Sequence, residues 1–306
     1  MRIVLAVEGP LDAPATLARY RLWGEDPSNR VVGDTFLRVR RHGGRLRPYL
    51  VRATGPVEAG RLVVEIPGAR SPGLADAVTA EVRSIFGLDV DLAGFYQMAK
   101  KDRMLGALID PLYGLRPSAT PVALEMLVGS ITAQQVNLAF AFTLRARLVR
   151  RYGERVSLGD ETVYAFPEPA TLAGSRMDAL RAMQFSTRKA EYIRDLARAV
   201  ATRALDLDGL RAAPSEVVIE RLTGQRGLGR WTADWFLARC LGRGDVCPAG
   251  DLAVRKAFAR YHGRGRQPSE RSIRRRAAGW GSYQTVAVHY LLAALRLGGA
   301  GAGGGT

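Results

Sequence analysis

Along the first part of the chain the apolar positions switch between a period of two and a period near 3.6 residues, which predicts a mixture of strands and helices. Arg2 to Val7 is a short apolar run fit for a strand, and Ala15 to Trp23 carries helix-spaced apolar residues such as Leu17 and Tyr20. Val31 to Arg41 alternates in the manner of a strand. His42-Gly43-Gly44 reads as a hairpin turn into a second alternating run, Arg45 to Ala53, because glycines supply the positive φ that tight hairpins need. Arg61 to Ile66 is a further strand stopped by Pro67-Gly68, and Leu74 to Phe86 returns to helical spacing. The order β-α-β-β-β-α predicts an antiparallel sheet with helices on one face.

From about residue 92 the spacing is helical and stays so. Candidate helices are Leu92 to Lys101, Met104 to Leu112, Val122 to Ile131, Val136 to Tyr152, Glu168 to Ala173 and Met177 to Ala182. They continue with Arg188 to Ala201, Ser215 to Leu222, Arg230 to Leu241, Leu252 to Tyr261, Glu270 to Ala278 and Tyr283 to Leu297. The predicted fold class is α+β, a mainly α-helical assembly behind an N-terminal antiparallel-sheet domain over residues 1–91. The Gly-rich end, 298–306, can bury nothing and is expected to be disordered.

Composition narrows the chemistry. A chain of 306 residues with 47% hydrophobic content has material for a substantial core, which excludes a disordered tail or a fibre. No stretch approaches the roughly 18 apolar residues of a membrane span, and the start, MRIVLAVEGP, lacks the features of a signal peptide. A cytosolic protein is expected. Cys240 and Cys247 are too few for a disulfide framework or a four-thiolate cluster, and His42, His262 and His289 have no metal-ligand spacing. No metal and no organic cofactor are expected. Against 29 Asp and Glu stand 45 Lys and Arg, a net charge of +16, well above what solubility requires. Such an excess points toward a polyanion, with nucleic acid foremost.

One segment concentrates the candidate chemistry. In Leu222-Thr-Gly-Gln-Arg-Gly-Leu-Gly-Arg-Trp-Thr-Ala-Asp-Trp-Phe a helix ends, Gly227-Leu228-Gly229 makes a tight turn, and a new helix begins at once. Glycines admit close backbone approach, and the free amides at a helix start point at an anion, so the segment suits a phosphate-binding hairpin as well as a plain helix–helix turn. Asp251 follows Trp231 by 20 residues, behind Cys247-Pro248-Ala249-Gly250 and directly ahead of an amphipathic helix. By position alone it is an N-cap.

Several blocks in order give this chain a close resemblance to the helix-hairpin-helix DNA glycosylase superfamily, and within it to the 3-methyladenine DNA glycosylase II type. They are Ser-Ile-Thr-Ala-Gln-Gln-Val (130–136), Tyr-Gly-Glu-Arg (152–155), Phe-Pro-Glu-Pro (166–169) and Arg-Lys-Ala-Glu-Tyr (188–192). Then come Gly-Leu-Gly-Arg-Trp-Thr-Ala (227–233), Pro-Ala-Gly-Asp (248–251) and Trp-Gly-Ser-Tyr (280–283). The resemblance runs from about Glu81 to Leu297. It implies two helical subdomains flanking a cleft: a central one over 118–243 carrying the hairpin, and a second built from 92–117 with 244–297.

The resemblance also implies roles. Asp251 becomes the catalytic carboxylate facing an oxocarbenium-like sugar. Trp231, Trp235, Trp280 and Tyr283 become the aromatic pocket for a flipped, positively charged alkylated purine, although Trp235 on its helix equally suits core packing. Gly227, Leu228, Gly229, Arg230 and Thr232 become the phosphate-binding hairpin. The loop with Thr132, Gln134 and Gln135 becomes the wedge that fills the gap in the duplex, though the glutamines equally suit bridging between helices. Where bifunctional members hold a Schiff-base lysine, this chain has Trp231, and the nearest following lysine is Lys256. The expectation is therefore base hydrolysis without strand cleavage by a monomer acting on damaged double-stranded DNA. Departures from the family pattern are Thr132 where leucine is usual, Gly250 before the catalytic position, and Arg226 in the hairpin.

Two other readings compete: a non-catalytic protein recognising damaged or distorted DNA, and a glycosylase for deaminated or oxidised purines. The sequence leaves open whether Tyr20 or Trp23 closes the pocket. Between Asp251 and Leu297 ten Lys and Arg face two carboxylates, an excess of eight, so half of the net charge follows Asp251. That clustering predicts phosphate contacts and salt-sensitive binding.

Overall fold

The computed structural model describes residues 1–68, 71–261 and 266–300. Its N-terminal part is β1 (Arg2–Ala6), α1 (Ala13–Leu17), β2 (Asn29–Val32), β3 (Thr35–His42), β4 (Arg45–Thr54), β5 (Arg61–Glu65) and α2 (Leu74–Ile85). The strands form one antiparallel sheet in the order β1-β5-β4-β3-β2. The predicted hairpin is present: His42 pairs with Arg45, and Gly43 and Gly44 stand at φ 57° and 71°, the twin positive values a two-residue turn demands.

The single strand predicted over Val31 to Arg41 is two strands. Val32 pairs with Thr35 around Gly33, which stands at φ 58°, so the chain reverses where the alternation was read as continuous. The first helix also starts earlier than predicted. Asp12 accepts a hydrogen bond from Ala15 N at 2.8 Å and Pro14 occupies the first turn, an arrangement that sets a helix start.

The remainder is α3 (Leu92–Ala99), α4 (Arg103–Ile109), α5 (Ala123–Ala133), α6 (Leu138–Tyr152), β6 (Arg155–Leu158), β7 (Glu161–Tyr164), α7 (Pro169–Ala173), α8 (Met177–Ala182) and α9 (Thr187–Ala201). After these come α10 (Ser215–Thr223), α11 (Arg230–Arg239), α12 (Leu252–Tyr261), α13 (Glu270–Ala278) and α14 (Gln284–Ala300). Each helix predicted from spacing has a counterpart here. The hairpin β6–β7 corrects the all-helical expectation: Leu158 pairs with Glu161 around Gly159, at φ 61°. It covers the second face of the sheet, where Val163 and Ala165 pack on Leu37 and Val39, so the sheet is not covered by helices alone. Of the expected disordered tail, residues 298–300 belong to α14 and 301–306 lie outside the described residues, as does His262.

Apolar side chains gather in two main clusters. One lies between the sheet and α2, including Phe36, Tyr49, Leu62, Val78 and Ile85. The other fills the helical part, including Phe95, Leu127, Ile193, Phe236, Phe258 and Tyr290. Burial of each such side chain stabilises by about 1.5–3 kcal/mol. Tyr20 belongs to the first cluster at 5% exposure, so it is a core residue of the sheet domain and not a mobile cover for a pocket.

A buried polar network ties the sheet to the helices. Arg38 of β3 bonds Glu125 of α5 at 2.8 Å and also Glu81 of α2, while Arg145 of α6 bonds Glu125 at 2.8 Å and Asp26 at 3.1 Å. Asn29 donates to Glu125 at 2.8 Å. Burial alone would raise the Glu125 pKa, but the two guanidiniums outweigh it and hold the group down to about 2. Removing one member of such a network leaves an unpaired buried charge, at a cost of about 3–5 kcal/mol.

Candidate active site

Thr223 ends α10, Gly227 turns the chain at φ 86°, and Gly229 is the N-cap of α11. Gly227 is required for a second reason: a Cβ there would stand 2.3 Å from Cγ of Tyr192 on α9. The Gly227 carbonyl accepts from Gln134 Nε2 at 2.8 Å, which fastens the expected wedge loop to the hairpin. Gly229 has open space where a Cβ would point, as close approach of a ligand to the first amides of α11 requires. Arg226 turns the other way, to Glu191 at 2.6 Å and over the ring of Tyr192.

Within the hairpin, Leu228 is buried and Thr232 is 1% exposed. The Thr232 hydroxyl is therefore a packing group, not an anion contact, because the first-turn position it occupies faces the core. Arg230 is exposed and bridges to Asp234 at 2.8 Å, and Asp234 also binds Arg274 at 2.6 Å.

Pro248-Ala249-Gly250 turns the chain so that Asp251 N bonds Pro248 O at 3.0 Å, and Asp251 heads α12. The two readings of Asp251 coexist on its two oxygens. Oδ1 accepts from the backbone N–H of Ala253 at 2.8 Å and of Val254 at 3.1 Å, capping the helix. Oδ2 accepts from Trp231 Nε1 at 2.7 Å and Trp235 Nε1 at 3.1 Å. The cap fixes the carboxylate against the backbone and the indoles fix its second oxygen, leaving a half-buried negative charge in one orientation. Trp235 is 4% exposed and Trp231 half-buried, so Trp235 is core packing and carboxylate ligand together.

Trp280 and Tyr283 are placed elsewhere. The Trp280 indole donates to Asp102 at 3.0 Å and its ring lies on Phe258, while the Tyr283 hydroxyl donates to Asp91 at 2.9 Å. Among the described residues, no hydrogen bond or ring contact joins either of them to Asp251, Trp231 or Trp235. They brace the start of α14 against the segments leading into α3 and α4, and of the four expected rings Trp231 and Trp235 are the ones bonded to Asp251 among the described residues.

The loop after α5 also sorts the wedge candidates. Thr132 is 1% exposed with its hydroxyl on Gly129 O at 2.7 Å, inside the last helical turn, so it cannot enter DNA. Gln134 is held by the hairpin. Gln135 is exposed at φ 56°, a backbone state in which a non-glycine residue is uncommon. Lys189 reinforces the loop by donating to Thr132 O at 2.9 Å.

One residue at the site escaped the sequence reading. Arg239 stacks on Trp235 with its guanidinium carbon 3.9 Å from the ring centroid. The signal was the spacing 231, 235, 239, which sets all three residues on one face of α11.

A family model described as HhH-GPD superfamily base excision DNA repair protein matches residues 128–282. The chain belongs to the HhH-GPD superfamily. The match spans the loop after α5, the hairpin and Asp251, and it bears out the resemblance carried by the motif blocks. DNA-3-methyladenine glycosylase of Bacillus subtilis (strain 168) is 29% identical over 216 residues, 71% of each chain. DNA-3-methyladenine glycosylase 2 of Escherichia coli (strain K12) is 31% identical over 189 residues, which is 61% of this chain and 63% of that protein. Among solved structures, 3-methyladenine DNA-glycosylase from Archaeoglobus fulgidus superposes at a TM-score of 0.85 with 25% identity, covering 97% of this chain and 98% of the other. MBOgg1 in complex with a low-affinity DNA ligand reaches 0.80 at 19% identity over 97% and 96% of the two chains, a likeness of fold. The fold is the mixed α+β type expected. Cys240 and Cys247 are free and buried, their thiols pushed up to about 12 by burial, which makes them inert core groups.

Proposed function

We propose that this protein is a monofunctional DNA glycosylase of base excision repair, hydrolysing the N-glycosidic bond of alkylated purines flipped from duplex DNA. The observation that carries the reading is the Asp251 carboxylate, oriented by two indole N–H groups and a helix N-terminus. Departure of the base leaves positive charge on the sugar, and a fixed carboxylate stabilises it without reorganising. With both oxygens already accepting donors, Asp251 acts through its charge more than by taking a proton. Water then adds to the sugar, and the departing base carries away the bond electrons. The family match and the glycosylase relatives support the chemistry.

The same reading divides the helical part at the cleft, with the hairpin on residues 118–243 and Asp251 on 92–117 with 244–297. Hairpin amides and Arg230 hold the DNA backbone, and Gln135 enters the space left by the flipped nucleotide. A protein that only recognised damage would have no use for an indole-held carboxylate. Trp231 stands where a Schiff-base lysine would be required, so no lyase step follows. Incubation with alkylated duplex DNA, with chromatography of the freed bases, tests the proposal: released methylpurines support it, and their absence contradicts it. Borohydride added during turnover is expected to trap no covalent enzyme–DNA product, and a trapped adduct would overturn the monofunctional assignment.

A further inference from the structure

Behind Trp235 lies a small cavity lined by Arg19, Ser118, Arg239, His289 and Arg296. It joins the candidate active site through one side chain, since the Trp235 ring carries Arg239 on its face, meets His289 edge-on at 6.0 Å, and donates its N–H to Asp251. The cavity is rich in donors and poor in acceptors. His289 Nδ1 is 2.8 Å from Thr285 O, which makes Nδ1 the donor and leaves Nε2 to accept from Arg239 Nε at 3.4 Å. That is the one hydrogen bond of the Arg239 guanidinium among the described residues. Among the described residues neither Arg239 nor Arg296 forms a salt bridge, and the hydrogen bonds of Arg19 go to Ser118 O and Thr120 Oγ1, both at 3.4 Å. The Ser118 hydroxyl, on a residue 4% exposed, has no partner.

We propose that this cluster reads the 6-carbonyl edge of a purine flipped into the site, so that guanine-derived and deaminated bases are favoured over adenine-derived bases with an amino group there. The inference rests on the base-excision reading and narrows its substrate class. A guanidinium has five donors and no acceptor. A carbonyl oxygen supplies what it lacks, whereas an amino group brings another donor against it. A base with its glycosidic bond at Asp251 lies against Trp235 and directs its far edge toward Arg239. The cavity volume of about 40 Å³, against the roughly 10–15 Å³ that one water needs, receives the polar edge of a base and not a whole ring.

Electrostatics point the same way. Burial, with Arg19 and Arg296 adding to it against Asp251, pushes the Arg239 guanidinium down to about 9. Burial, followed by the neighbouring Arg239, pushes the His289 ring down to about 3. Asp251 is the carboxylate that opposes these shifts at Arg239, and the phenol of Tyr20 also faces the group. The Arg239 guanidinium gains from an oxygen acceptor, and the uncompensated arginines disfavour a base that presents the N–H groups of an amino substituent to them.

Two measurements test this. Duplex DNA treated with dimethyl sulfate contains 7-methylguanine, with the 6-carbonyl, and 3-methyladenine, without it, and both release rates are read from one reaction. In Arg239→Gln the ratio of the 7-methylguanine rate to the 3-methyladenine rate is expected to fall about ten-fold, the scale of one lost charged hydrogen bond to substrate. An unchanged ratio overturns the proposal, whatever happens to the total. Titration of the unmodified protein with free hypoxanthine or free adenine, followed by tryptophan fluorescence, needs neither turnover nor a folded variant. Hypoxanthine is expected to bind about ten-fold more tightly, and equal affinities overturn the proposal. A protein that discriminates the free bases but releases none from alkylated DNA contradicts the glycosylase reading and leaves the role of the cluster standing.

Discussion

The hairpin allows a prediction that separates folding from DNA binding, because its two glycines are glycines for different reasons. Gly227 stands at φ 86° with the Tyr192 ring 2.3 Å from the place of a Cβ, whereas Gly229 has an ordinary φ of −117° and no atom within 4 Å. In Gly227→Ala two costs add. Holding a side chain in the left-handed region costs about 1–2 kcal/mol, and displacing Tyr192 from its packing costs about 1–3 kcal/mol. The sum, about 2–5 kcal/mol, is a large share of a typical domain stability of about 5–15 kcal/mol. In Gly229→Ala neither cost applies, and the loss is about 1 kcal/mol or less from the weaker N-cap. The added methyl group nevertheless stands where a phosphate approaches the α11 amides. Guanidinium unfolding and fluorescence anisotropy with labelled duplex DNA measure the two effects. Gly227→Ala should lose both stability and affinity, and Gly229→Ala affinity with little stability. Equal destabilisation by the two changes, or full DNA affinity in Gly229→Ala, would contradict these separate roles of the two glycines.

Other consequences are open to simpler assays. Glu125→Gln should lower stability by about 3–5 kcal/mol in denaturant unfolding, because Arg38 and Arg145 lose a buried partner. The Glu125 pKa is held down from 4.5 to about 2, so its contribution is complete above the unfolded value and disappears as pH falls from about 4.5 toward 2. His289, depressed from 6.5 to about 3, loses its share earlier, as pH falls below about 6.5. A stability–pH curve should therefore decline in two stages, the upper one absent in His289→Gln and the lower one in Glu125→Gln. Trp231→Phe keeps an aromatic ring, though a smaller one, and removes the 2.7 Å hydrogen bond to Asp251, and base release should slow about ten-fold through looser positioning, with DNA affinity altered much less. Arg203, exposed at φ 59°, should gain about 0.5–1 kcal/mol of thermal stability on change to Gly.

The parts of this molecule that were legible in the sequence are those governed by local pattern. Helix spacing located α3 to α14, and Gly43-Gly44 announced its turn. The hairpin β6–β7 was hidden because a pair of four-residue strands carries little periodicity, yet Val156, Leu158 and Val163 alternate around Gly159-Asp160, and that turn signal was readable. At the site, a fixed offset from hairpin to carboxylate brought Trp231 and Asp251 together, and both lie where tight turns determine the geometry. Trp280 and Tyr283 could not be placed this way. Their partners, Asp102 and Asp91, are more than 170 residues away in the chain, and no local rule says which of two acidic neighbours a ring will choose. The inward turn of the Thr132 and Thr232 side chains was hidden for a related reason, since which face of a short helix turns inward depends on its neighbours.

The central claim is that the charge of Asp251, held by two indoles, drives departure of the base. It is tested most directly by comparing Asp251→Asn with the unmodified protein on the same alkylated duplex, measuring base release and DNA affinity together. The substitution keeps the side chain's shape and a carbonyl acceptor but removes the negative charge. DNA affinity is expected to stay within a few-fold of the unmodified protein and base release to fall by about a hundred- to a thousand-fold, the range seen when electrostatic stabilisation of a transition state is lost. Base release by Asp251→Asn at or near the unmodified rate would contradict the claim.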